Sequence, residues 1–350
     1  MPFEPDYRNL MLAARNIEVP RLPLYEHQIS VELMETITGK RFAKYLYGDA
    51  SERVYYFIRL CEFYQNHGYD TVSFECLSAS VMPGSGHLGG HGLPPGITSR
   101  ADFERYPWEE AEENFFRYFA PRLRSLRLAM PPGMRAVGGV GYGVFELAQD
   151  LVGFEDLCYM LGDDEELFRD LTAKVGATLL AIWKRLLREY GDLFCVCRFG
   201  DDLGYKTATM FSHDTLRRYI FPHYKPIIDA IHARGRPFLY HSCGNIFGVM
   251  EDILAAGIDA KHSNEDAIAP FSAWVERYGG RIGNFGGIDT DRLCRCSEAE
   301  IREEVGDIVR QCAGHGGIAF GTGNSIPGYV PPANYLAMVE AIRELRGDYT

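Results

Sequence analysis

No stretch of the chain approaches the ~18 consecutive apolar residues that a membrane helix needs. The opening MPFEPDYRNL has no basic region followed by an apolar one, so no secretory signal is expected. Low-complexity tracts, blocks of like charge and repeats of solenoid length are also missing. Positive charge is in short supply: 36 Lys and Arg stand against 48 Asp and Glu, for a net charge of −12. A surface of that sign repels phosphate backbones, which argues against nucleic-acid binding as the main task. Nine cysteines, an odd number without regular spacing, make no disulfide framework and fit reduced thiols in a cytoplasmic protein. What is there is an ordinary globular balance over 350 residues, 46% hydrophobic and 24% charged. That is enough for a large core and excludes wholesale disorder.

The second half alternates short apolar runs with helical patterns. Residues 193–200, 237–241, 257–262, 281–286 and 316–321 are mostly apolar, as strands buried on both faces are, and each runs into polar or glycine-rich residues. Residues 69–75 and 134–140 are earlier strand candidates, and a further one near 21–26 brings the count close to eight. Ser297 and Glu300 make a capping box ahead of Ile301, Val305, Ile308 and Cys312 on one helical stripe. Leu167, Leu171, Val175, Leu179, Ile182 and Leu186 mark a long amphipathic helix, and 213–235 is helical with Pro222 and Pro226 expected to break or kink it. Strands alternating with helices pair in parallel through right-handed crossovers. No Gly-x-Gly-x-x-Gly opens a helix near the start, so a closed α/β barrel of the (β/α)8 TIM type fits better than an open sheet. Within this single domain, residues 1–65 are expected to form a helical cap and 82–122 an elaborated loop over the barrel mouth.

The active site of such a barrel lies at the C-terminal ends of its strands. Glu75, Asp201, Asp202, His241, Cys243, Glu265, Asp289 and Asn324 crowd those ends. A barrel interior does not need so many carboxylates, and unpaired buried charge is costly, so the pattern points to an enzyme. His241 and Cys243 stand at i and i+2 and face the same way, as an imidazole and a thiol suited to zinc, or as a core histidine beside a buried cysteine. Asp201 and Asp202 read equally well as ligand, base or substrate anchor and as a helix cap or turn. Glu265 and Asp289 either serve the site or pair with each other, Lys206 or Lys261. Tyr142 and Glu146 follow the second strand and can line the pocket, with Tyr205 and Phe74 in an aromatic wall. Cys195 and Cys197 read as core thiols, and Cys294 and Cys296 as loop residues away from the site. His87 and His91, in a glycine-rich segment, read as a metal pair or part of a mobile lid.

The segments G-D-D-L-G-Y-K-T from Gly200, H-S-C-G-N from His241, G-I-D-A-K-H-S-N-E from Gly257, G-G-I-D from Gly286 and G-T-G-N-S-I from Gly321 give the chain a resemblance to the uroporphyrinogen decarboxylase superfamily. It includes the porphyrinogen decarboxylases and the methyltransferases of corrinoid-dependent methyl transfer. The resemblance implies a TIM barrel with its site at the strand ends, often in a homodimer. The arginine-bearing N-terminal motif of the true decarboxylases is missing. Phe74-Glu75-Cys76 stands where their catalytic aspartate falls, and Gly323-Asn324-Ser325 replaces their Gly-His-Gly. The methyltransferase branch matches better. Its members bind zinc through a His-x-Cys pair, here His241 and Cys243, and a late cysteine, where this chain has Asn324. The third ligand then passes to a carboxylate such as Asp201, Glu75 or Glu265. The reading implied is a zinc methyltransferase that demethylates a small methoxy or methylamine-type compound and passes the methyl group to a cobalamin-carrying corrinoid protein. In it Asp201 or Glu75 assists the leaving group. A metal-free decarboxylase and a non-catalytic binder on the same barrel are the alternatives.

Overall fold

The apolar runs become the staves of one parallel sheet. In a computed structural model that describes residues 3–88 and 96–349, strands β1 (Thr71–Leu77), β2 (Arg135–Gly141), β3 (Phe194–Gly200), β4 (Phe238–His241), β5 (Ala260–His262), β6 (Gly283–Ile288) and β7 (Ile318–Thr322) pair in sequence order. Of the run expected at 257–262, only the last part forms a strand. The eighth position is held by an extended segment. Leu24 bridges Phe320 of β7, Tyr25 N donates to Phe320 O at 2.9 Å, and Ser73 of β1 donates its hydroxyl to the Glu26 carbonyl. Pro23 has no N–H to give, which limits the ladder there. The fold is a TIM-barrel-like α/β fold whose eighth stave is a short bridge.

Helices return the chain between strands. The 213–235 stretch divides near its prolines into helices His213–Tyr219 and Tyr224–His232, with a 3-10 turn Phe221–His223 between them. The first 65 residues do two separate things. Helix Arg8–Ala14 packs under β3, β6 and β7, while helix Ala50–Asn66 lies against β1. The stretch 82–122 is not one loop: its described residues carry helix Arg100–Arg105 and the first part of helix Ala111–Ala129, which packs on Ala50–Asn66 and on Glu165–Tyr190. No helix among the described residues is long and apolar enough to cross a membrane.

The barrel interior is layered. Tyr25, Val137, Val196, Leu239, Ala260, Phe285 and Ala319 pack with Leu10, Ala13 and Ala14 of the first helix into an apolar floor. Side chains alternate along a strand, so the next residue on the same face is two positions on. From Tyr25 that step leads to His27, from Val196 to Arg198, from Leu239 to His241 and from Ala260 to His262. Toward the C-terminal ends of the strands, the apolar floor therefore gives way to a polar layer.

Candidate metal centre

His241 closes β4 and Cys243 follows in the loop. Cys243 Sγ lies 3.6 Å from His241 Nε2, and Asp202 Oδ1 lies 3.7 Å from the same nitrogen. The Cys243 N–H donates to Asp202 Oδ1 at 2.7 Å, which fixes the carboxylate beside the thiol. Donors 2.0–2.3 Å from a tetrahedral ion stand roughly 3.3–3.8 Å apart, so the two separations from His241 fit one ion. Imidazole nitrogen, thiolate sulfur and carboxylate oxygen are all zinc ligands, and catalytic zinc takes three protein ligands and keeps a fourth position open.

The paired aspartates divide the roles between them. β3 ends at Gly200, so strand alternation no longer governs them. Asp201 turns back to cap helix Val144–Val152, accepting from Phe145 N at 3.1 Å and Glu146 N at 2.7 Å, with the Tyr224 hydroxyl donating at 2.5 Å. It is fully buried, and burial pushes its carboxyl up to about 7 against those hydrogen bonds. A Cβ on Gly143 would sit 2.4 Å from its carboxylate carbon, so the cap requires glycine there. Asp202 points the other way, to His241 and Cys243.

The polar layer surrounds His241. His27 stacks on it with ring centroids 3.9 Å apart. His262 Nδ1 lies 2.8 Å from His241 Nδ1, and His262 Nε2 lies 3.0 Å from the Thr322 carbonyl oxygen. Burial is the main force holding all three imidazoles neutral, His262 down to about 3, with the nearby cation Arg198 adding to it. Arg198 is almost wholly buried. It donates Nε to Glu75 Oε1 at 3.0 Å and a terminal nitrogen to the Tyr25 hydroxyl at 2.6 Å and the His27 carbonyl at 3.0 Å. Glu75 is thereby an ion-pair partner, with His27 Nε2 3.9 Å from its other oxygen.

The family model for uroporphyrinogen decarboxylase (URO-D) matches residues 85–345. The chain belongs to the uroporphyrinogen decarboxylase family. Among solved structures it is similar to a methyltransferase from Methanosarcina mazei, with a TM-score of 0.73 and 17% identity over 98% of this chain and 99% of that one. Looser likenesses are a glycoside hydrolase family 5 enzyme from Prevotella bryantii and xylanase B from Clostridium stercorarium. The first has a TM-score of 0.44 and 11% identity over 95% and 98% of the two chains, the second 0.45 and 9% over 96% and 100%. No curated protein matches the chain significantly.

In this member of the uroporphyrinogen decarboxylase family, Asn324 follows the end of β7 and faces Cys243. Its Nδ2 donates to Cys243 Sγ at 3.2 Å. Glu146 is buried on the capped helix, and burial, then Asp202, Asp201 and Glu75, raise its carboxyl well above the usual range. A Cβ on Gly200 would stand 3.3 Å from Glu146 Oε2 and 3.4 Å from His241 Cδ2, so that glycine leaves the space between them open. Tyr142 stands in the left-handed region at φ 66°, unusual for a non-glycine residue. Burial and the surrounding carboxylates, Glu146 first, push its hydroxyl up to about 12.

Other expected site residues are not brought to this centre. Glu265 pairs with Lys206 Nζ at 3.3 Å, both half-exposed. Asp289 caps helix Thr290–Arg295, accepting from Asp291 N at 2.7 Å and Asp266 N at 2.6 Å. Tyr205 is exposed. Cys195 and Cys197 are buried core thiols, and neither His87, Cys294 nor Cys296 joins a metal-competent group among the described residues. His91 lies outside the described residues.

His27, Arg198 and His262 were not singled out in the sequence. The signal was the two-residue step beyond an apolar strand position, readable once the inward face is known. His27, Glu75 and Arg198 also line a cavity of about 250 Å3, whose other walls include Phe74, Tyr118, Phe119 and Arg122.

Proposed function

We propose that the chain is a zinc-dependent methyltransferase that moves a methyl group from a small methylated donor, of methoxy or methylamine type, to a corrinoid carried by a partner protein. The observation that carries this reading is the convergence of Asp202, His241 and Cys243, three donors of the right chemistry, with the carboxylate and the sulfur each at a fitting distance from His241 Nε2. Membership of the uroporphyrinogen decarboxylase family and the likeness to the Methanosarcina mazei methyltransferase are in keeping with it. Zinc held by these residues would supply Lewis-acid polarisation of the donor's heteroatom.

The chain's own residues do the rest. Asp202 takes the ligand place that the late cysteine leaves, in preference to Asp201, whose carboxylate is committed to Phe145, Glu146 and Tyr224. Glu146, kept protonated by burial, gives its proton to the departing heteroatom, a part that Glu75, paired with Arg198, is less free to play. The cavity beside His27, with Phe74, Tyr118 and Phe119 in its walls, takes the body of the donor. A metal-free decarboxylase needs arginines to hold substrate carboxylates; of the two in this cavity, Arg198 is occupied by Glu75, Tyr25 and the His27 carbonyl, and Arg122 donates one nitrogen to the Tyr118 carbonyl.

The test is elemental analysis of the purified chain beside Asp202→Ala, His241→Ala and Cys243→Ala, followed by assays of methylated donors with cobalt(I) cobalamin. About one zinc per chain, reduced in all three variants, with methyl transfer that follows the zinc, supports the reading. A freshly prepared chain that neither holds nor takes up zinc overturns it.

A further inference from the structure

His241 belongs to two groups able to hold a metal, Asp202–His241–Cys243 and His27–His241–His262. The hydrogen-bond pattern decides between them. The Thr322 carbonyl oxygen can only accept, so His262 Nε2, 3.0 Å away, carries the ring proton. A neutral His262 then offers a lone pair at Nδ1. His241 Nδ1, 2.8 Å from it, must be the N–H that donates. That leaves the lone pair of a neutral His241 on Nε2, the nitrogen facing Cys243 Sγ and Asp202 Oδ1. Both ring nitrogens of His262 are committed, so it has no lone pair left for an ion. In this hydrogen-bonded arrangement the three-histidine group has no free lone pair on His262 and serves to orient His241.

We propose that His262 is a positioning residue: the relay from His241 Nδ1–H through His262 to the Thr322 carbonyl locks His241 in the tautomer that presents Nε2 to a metal. This rests on the metal-site reading given above. A histidine ligand whose other N–H is held by a fixed acceptor is oriented and made a better donor. The usual acceptor is a carboxylate, a carbonyl or a water; here a second imidazole is interposed, itself pinned by the backbone of β7. The locked geometry follows from the layered barrel. His241 and His262 pair across β4 and β5 in register, and Thr322 ends β7 on the far side.

The experiment uses the full chain, stripped of metal with a chelator and titrated with Co2+. The absorption that a cobalt–thiolate bond at Cys243 produces is the readout. His262→Leu removes the acceptor and is expected to weaken Co2+ binding about 10–100-fold, as loss of a supporting acceptor does elsewhere. His262→Asn, whose Oδ1 stands near the place of the ring Nδ1, is expected to recover most of that loss. A merely structural role for His262 gives no such rescue. His27→Leu separates the two groups: it keeps Co2+ on this proposal and loses it if the three histidines are the site. Because His262→Leu buries two unmet polar groups and can fail to fold, 15N–1H spectra of histidine-labelled wild-type protein give a second arm. Protons on His241 Nδ1 and His262 Nε2 are the expected result. Protonation of His241 at Nε2, or a folded His262→Leu chain that binds Co2+ as wild type does, overturns the proposal. A wild-type chain that takes up no metal overturns the reading beneath it, and the two failures are thereby told apart.

Discussion

The side-chain amide of Asn324 donates its Nδ2 to Cys243 Sγ at 3.2 Å, and its orientation is set by Ser325 N, which donates to Asn324 Oδ1 at 2.8 Å. Asn324 is thus a hydrogen-bond donor to the one sulfur of the site. Burial and Asp202 push the Cys243 thiol well above its ordinary range, and the Asn324 N–H works against them by favouring the thiolate.

Asn324→Ala deletes that donor. A hydrogen bond to a charged group contributes about 1.5–3 kcal/mol, so zinc affinity at pH 7 is expected to fall about tenfold or more. The pH at which metal uptake is half complete is expected to rise, because a less acidic thiol gives up its proton later. Competition with a chromophoric chelator across pH measures both. Unchanged affinity and an unchanged pH profile would mean that the contact does not act on the sulfur.

Arg198 and Glu75 form a buried ion pair at 3.0 Å, with the Arg198 side chain almost fully covered and Glu75 slightly open to the cavity. Arg198→Met leaves Glu75 without its cation and the Tyr25 hydroxyl and His27 carbonyl without their donor. Removing one partner of such a pair costs about 3–5 kcal/mol. Adding Glu75→Gln removes the stranded charge, so the double variant is expected to be more stable than Arg198→Met alone. Urea denaturation of the four proteins of this cycle checks it; strictly additive losses would deny the coupling.

Much of this was legible in advance, and what was not has a physical reason. Apolar runs ending in polar residues located β1 to β7 because strands covered on both faces have few polar positions to spare. The segment near 21–26 was located too, but Pro23 reduces it to a bridge. The i, i+2 spacing brought His241 and Cys243 to one site. It left Asp201 and Asp202 undivided, because their parting depends on β3 ending at Gly200 and on a helix N-terminus, Phe145 and Glu146, that arrives from far along the chain. His27 and His262 escaped notice because each becomes meaningful only beside His241. Arg198 lay in plain view as one charge inside an apolar strand, and a buried guanidinium always needs acceptors from elsewhere.

Glu26 supplies a pH dependence of stability. It is fully buried, and burial pushes its carboxyl up to about 8 although Thr322 donates to it. In the unfolded chain the same group titrates near its ordinary value of 4.5. Between those values the folded state holds a proton that the unfolded state has lost, so stability falls as pH rises and levels off above about 8. At its steepest the slope is about 1.4 kcal/mol per pH unit. Melting temperatures of wild type and Glu26→Gln at pH 6 and 9 isolate this group from the others that titrate in the same window. The drop between the two pH values is expected to be smaller in Glu26→Gln; equal drops would place the ionised form of Glu26 in the fold at no cost.

Glu146→Gln tests the proton donor of the proposed reaction. The carboxyl sits on the helix that Asp201 caps, beside Asp202 and across the space left by Gly200 from His241. The amide keeps the volume and loses the transferable proton. Loss of a positioned general acid lowers a rate by about 10²–10⁴-fold, and that is the expected fall in methyl transfer to cobalt(I) cobalamin. Zinc content is expected to stay at the wild-type level, since Glu146 is not among the three donors. The acid works in its protonated form, so the wild-type rate is expected to decline on the alkaline side as Glu146 ionises, and that limb should be missing from the variant's pH profile. A variant that keeps both the rate and the alkaline limb would take the proton-donor role away from Glu146 and return it to Glu75 or to solvent.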